Sequence, residues 1–165
     1  MNCVIIERLE LVNAQEFQAR KTERIALALA HYVETTPPDK LDWIPSIGEQ
    51  SCARSVMDQV SECIACNRMV CDLLGCEHCD DPIQITDAAT ARAALVKSAA
   101  EVASAIRVQT DESLTRNYVT QMMTMSGEIL IDIPYRNMVY HGGQINQTQL
   151  LLGDREFHIE PASFK

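Results

Sequence analysis

A chain of 165 residues fits one domain, read here as 1–165, that buries roughly 70% of the surface its unfolded form exposes. With 14 basic against 23 acidic residues its net charge is −9, which argues against a phosphate backbone as partner, and no apolar run approaches the roughly 20 residues needed to cross a bilayer. Seven cysteines, and an N-terminus already carrying Glu7, Arg8 and Glu10 where a signal peptide would be apolar, point to reduced thiols and a cytoplasmic protein.

From about Gln15 to Thr36 the residues Phe17, Ile25, Ala28, Leu29, Tyr32 and Val33 recur at helical spacing, and Pro37-Pro38 end the pattern. Lys21, Arg20 and Arg24 on this first helix are interleaved with Glu16 and Glu23 and read as a solvated face. Asp39 to Gln50 reads as a connecting loop whose single Trp43 caps the helices. Ser51 is the expected N-cap of a second helix with the stripe Val56, Val60, Cys63, Ile64, Val70, Leu73 and Leu74, which Gly75 stops. Cys76 to Thr86 is polar and irregular, a linker able to return from one end of a bundle to the other. Asp87 caps a third helix in which Ala88, Ala91, Leu95, Ala99, Val102 and Ile106 keep a 3–4 spacing. Ser126-Gly127, between Tyr118–Met125 and the alternating Glu128–Ile133, suggests a short hairpin or extended loop. Asp132 and Pro134 then open a fourth long helix, Tyr135 to Leu152, which ends at Gly153-Asp154. The fold class expected is all-α, an antiparallel four-helix bundle.

Cys63-x-x-Cys66 followed by Cys76-x-x-Cys79 has the spacing of zinc thiolates. Ten residues of predicted helix separate Cys66 from Cys76, about 15 Å at about 1.5 Å per residue. Zinc–sulfur bonds are about 2.3 Å, so these four thiols do not share one ion. Cys63 and Cys66 belong in or beside the core. The group Cys76, His78, Cys79, Asp80 and Asp81 reads as a polar helix terminus, with a soft-metal site as its alternative.

The fourth helix is more informative. Asn137, His141, Gln144 and Thr148 stand at i, i+4, i+7 and i+11 and make one polar line at the margin of Met138, Ile145 and Leu152. His141 is there either a satisfied core residue or a ligand. Gly142 and Gly143 beside it cost about 1 kcal/mol each in a helix, which close approach of another helix or ligand access to the imidazole would offset.

The segment His141-Gly142-Gly143-Gln144-Ile145-Asn146, followed by Leu150-Leu151-Leu152-Gly153-Asp154, resembles the last helix of the DinB/YfiT-like superfamily. Leu41-Asp42-Trp43-Ile44-Pro45, and Gln59-Val60-Ser61-Glu62 leading to Asn67, are similar to the same family. The resemblance implies a crossover between helices two and three, a homodimer, and a divalent metal, nickel or zinc, on three histidines. Matched by position, the metal residues would be Glu62, Asn137 and His141. Only His141 is a histidine; Asn137 and Glu62 replace the other two.

Two functions follow as expectations. One is a metal-dependent thiol S-transferase or hydrolase acting on a small-molecule substrate or thiol, with Gln144 orienting a water or substrate. The other is a non-catalytic dimeric binding module that has lost the metal. Di-iron chemistry is set aside because no Glu-x-x-His occurs, and Ser-His-Asp hydrolysis because no G-x-S-x-G does.

Overall fold

The structure is a computed structural model and describes residues 12–45, 53–120, 123–156 and 158. Its described residues form α1 (Ala14–Thr35), a 3-10 turn (Pro38–Lys40), α2 (Val56–Leu74), α3 (Ala88–Arg107), α4 (Asp111–Thr115), β1 (Asn117–Val119), β2 (Thr124–Ser126) and α5 (Gly127–Leu151). The molecule is therefore mostly helical, and its two strands make one small antiparallel hairpin. No described helix is long and apolar enough to cross a membrane.

Local chemistry sets the helix ends. The Asn13 side chain accepts from Glu16 N at 2.8 Å and starts α1. The second helix is capped by Ser55, whose Oγ accepts from Asp58 N at 3.1 Å while Asp58 Oδ2 accepts from Ser55 N at 3.2 Å. Ser51, the cap expected from sequence, lies outside the described residues. Gly75, at φ 71°, ends α2 in the left-handed conformation that glycine adopts freely. Asp87 caps α3 as expected, in a reciprocal pair with Thr90.

Two buried clusters make the core. One joins Leu29 and Val33 of α1, Val56, Val60 and Ile64 of α2, Ala91, Leu95 and Ala99 of α3, and Met138 and Ile145 of α5. The other joins Ala19 of α1, Val70 and Cys71 of α2, Val102 and Ile106 of α3, and Leu130 and Ile131 of α5. Both α1 and α2 pack chiefly on α3 and α5. Phe17, expected in the first stripe, is 59% exposed, because the buried face of α1 runs through Ala19, Thr22, Ala26, Leu29, Ala30 and Val33 instead. In the first loop Leu41 rather than Trp43 enters the core.

The last helix differs most from expectation. It begins at Gly127, eight residues before Tyr135, so Glu128–Ile133 is helix and the hairpin lies wholly upstream. Leu130, Ile131, Pro134, Met138, His141 and Ile145 form one buried helical stripe, and that burial outweighs the intrahelical bond that Pro134 cannot donate. Gly127 is required by a close approach, since a Cβ there would run into the backbone oxygen of Ser113. At the far end Gln149, 1% exposed, donates to Tyr32 O at 2.9 Å and Thr35 Oγ1 at 3.0 Å, tying α5 to the end of α1.

Candidate functional site

A cavity of about 810 Å³ opens between the start of α2 and the second half of α5. The first helix turn, set by the Ser55 cap, places Arg54 at its mouth and Gln59 and Glu62 on its wall; α5 supplies Tyr140, His141, Gln144 and Thr148. Pro45 and Leu151 give it an apolar edge.

His141 is 3% exposed. Its Nδ1 lies 2.9 Å from Gln144 Oε1, which as an acceptor assigns the ring proton to Nδ1 and leaves a lone pair on Nε2. Nε2 is 3.4 Å from Glu62 Oε1 but lacks hydrogen-bond geometry to it, so it stands buried without a hydrogen-bond partner. Burial, reinforced by the Arg54 charge, pushes the imidazole below the ordinary histidine range; the Gln144 contact opposes this. The ring is therefore neutral around pH 7. Glu62 Oε2 forms an ion pair with Arg54.

Gln59, also 3% exposed, donates through Nε2 to Arg54 O at 3.3 Å, while its Oε1 is buried with no partner. Polar atoms left in this way normally cost stability and call for an explanation. Of the residues predicted from sequence, Glu62, His141 and Gln144 converge here. Asn137 does not line the cavity: it sits one turn before His141, and helical side chains lean toward the N-terminus, away from the opening at Gln147 and Leu151. Its Oδ1 is nonetheless buried and unpartnered.

Gln59, Arg54 and Tyr140 were not singled out as site residues. For Gln59 the signal was present, since it stands three residues before Glu62 and shares its helix face. The glycine pair has a simple geometry: a Cβ at Gly142 would make ordinary contact with Leu29 at 3.8 Å, and one at Gly143 would meet open space at the cavity wall. Close approach of another helix therefore explains neither glycine.

The second polar cluster is at the end of α2. His78 Nε2 is 2.9 Å from Asp72 Oδ1 and Nδ1 is 3.1 Å from Cys79 O, so both ring nitrogens face acceptors. The backbone carbonyl and the Asp72 carboxylate favour the charged ring and raise its pKa. Cys63 is buried and its thiol is pushed well up, and burial pushes Cys66 up to about 11, so both remain protonated thiols at neutral pH. Among the described residues no three His, Cys, Asp or Glu side chains are grouped closely enough to hold a metal.

No family model matches the chain, and no curated protein matches it.

Proposed function

We propose that the chain is a DinB/YfiT-like four-helix bundle whose cavity binds a small molecule and a divalent cation, and that it acts as a metal-dependent thiol S-transferase or hydrolase. The observation that carries this is His141 Nε2, a buried lone pair with no hydrogen bond, facing a carboxylate oxygen 3.4 Å away across the wall of an 810 Å³ cavity.

Support for the bundle comes from the two core clusters. In chain direction α1 and α5 pass from the Val70 cluster to the Leu95 cluster, and α2 and α3 pass the other way. That order, up-down-down-up, supports a crossover in the linker between α2 and α3. Exposed Ala89, Ala93, Ala100 and Ser104 on α3 favour a homodimer through that helix. Five free thiols among the described residues favour a cytoplasmic setting.

His141 and Glu62 fit a divalent ion as a partial site. A nitrogen and an oxygen 3.4 Å apart are too distant to hydrogen-bond well, yet they are spaced as two ligands with bonds of about 2.0–2.2 Å at a tetrahedral angle would be. The held Nδ1 also matches how a ligating imidazole is oriented, with Gln144 as the positioning group. Nickel or zinc bound there supplies a Lewis acid for a thiol, water or carbonyl. The chain's own part is to hold the ring neutral and present its lone pair to the cavity beside the Glu62 carboxylate.

One observation favours a non-catalytic binding module instead: the Arg54 guanidinium already neutralises Glu62. Elemental analysis of tag-free protein, with zinc and nickel titrations of stripped protein, decides between them. Stoichiometric metal lost in His141→Ala is the expected result; metal-free protein with no uptake at micromolar ion supports the binding module.

A further inference from the structure

The cavity wall carries three acceptor atoms. Two are His141 Nε2, buried with no hydrogen-bond partner, and Glu62 Oε1, 3.4 Å from it. The third is Gln59 Oε1, on a side chain 3% exposed whose other amide atom is occupied by Arg54 O. With Nε2 held by that carbonyl, Oε1 is the only polar atom Gln59 has left to present. Gln59 and Glu62 stand at i and i+3 on α2, with Cβ atoms about 5–6 Å apart, and both line the cavity that His141 enters from α5.

Resting on the proposed cation site, we infer that Gln59 Oε1 is its third protein donor, so that the ligand set is Gln59, Glu62 and His141. The chemistry is consistent. Two oxygens and one imidazole nitrogen suit a borderline divalent ion such as zinc, nickel or cobalt, with remaining positions open to solvent or substrate. A neutral amide oxygen adds no negative charge beside Glu62, so it needs no further cation to balance it when the site is empty. The unpartnered His141 Nε2 and Gln59 Oε1 then have one common explanation.

The test is a titration of metal-stripped protein with cobalt(II), read by its visible ligand-field bands and by calorimetry, with circular dichroism confirming helicity of each variant. Gln59→Leu should weaken cobalt binding by at least the ~10-fold that loss of even an outer partner produces, and Gln59→Glu should tighten it and shift the visible bands. Unchanged affinity and bands in both variants, while His141→Ala loses the ion, would overturn the role of Gln59 and leave the cation site standing. Wild-type protein that takes up no cobalt, or takes it up equally with His141→Ala, would overturn both.

Discussion

Two histidines in this molecule sit in opposite electrostatic surroundings, and the contrast identifies which polar cluster has chemistry left to do. His78, at the end of α2, offers both ring nitrogens to acceptors, Asp72 and the Cys79 carbonyl, with Asp80 a further 3.5 Å neighbour. Its surroundings favour the charged ring, and it ties the helix end to the linker. His141 satisfies one nitrogen with Gln144 and leaves the other buried and bare. A cluster that looks rich in ligands in sequence is thus internally spent, whereas a sparse one retains an unused lone pair.

The largest expected effect separates these two rings directly. If the proposed site binds metal, His141→Ala should lower zinc or nickel affinity by about 100-fold or more, because it would delete a ligand rather than one of the outer partners, whose loss costs 10–100-fold. His78→Ala should leave that affinity within about twofold. Equal losses in the two variants would show that the contrast does not locate the site.

Thiol reactivity sharpens the same comparison on α2, which carries Cys63 and Cys66 within about a turn after Glu62. With Cys66 raised to about 11 by burial, its thiolate fraction at pH 8 is about 0.001, so alkylation should run roughly 200-fold slower than for a free thiol. Cys63, fully buried, should be slower still. Peptide mapping after timed iodoacetamide treatment measures both; rapid labelling of Cys66 in folded protein would contradict the burial of this face.

How much of this was legible in sequence depends on whether a signal was local. Asp87 and Gly75 announced helix ends through their own side-chain or backbone chemistry; His141 and Gln144 stood out in a polar line on the last helix, Glu62 only through the resemblance, and all three line one cavity. Glu128–Ile133 misled because its alternation fits a strand, while the fact that decides for helix, burial of Leu130, Ile131 and Pro134 against other helices, is tertiary. Phe17 misled for the same reason, since which face of α1 turns inward is set by α3 and α5. Gln59 was passed over because glutamine on a helix is ordinary; only the absence of a partner makes it informative.

Arg54 gives a smaller effect of the opposite sign. A guanidinium paired with Glu62 repels an incoming dication and holds one carboxylate oxygen. Across a wet, half-exposed site a unit charge changes a divalent ion's energy by about 1 kcal/mol. Arg54→Ala should therefore tighten zinc binding by about fivefold, an increment that fades in high salt. Weaker binding in the variant would mean that Arg54 organises the site rather than competes for it.

The smallest effect is a tilt of stability with pH, measured on metal-stripped protein, and the two rings should tilt it in opposite directions. His141 has its pKa lowered from 6.5 by burial, so the unfolded chain binds the proton more readily. Its contribution is complete above about 6.5 and is lost as pH falls through the depressed folded value. His78 has its pKa raised by Cys79 O and Asp72, so the folded chain binds the proton more readily. Its contribution is complete below about 6.5 and is lost as pH rises through the raised folded value. Urea midpoints between pH 5 and 8 should then pass through a maximum near the unfolded histidine value. His141→Gln should flatten the acid side alone, and His78→Gln should flatten the alkaline side alone. The carboxylates with lowered pKa values, Glu16, Asp39, Asp87 and Asp154, act below this window, because their unfolded values are 4.5 or less. A wild-type profile that is flat from pH 5 to 8, or one variant that flattens both sides, would remove the electrostatic opposition between the two rings.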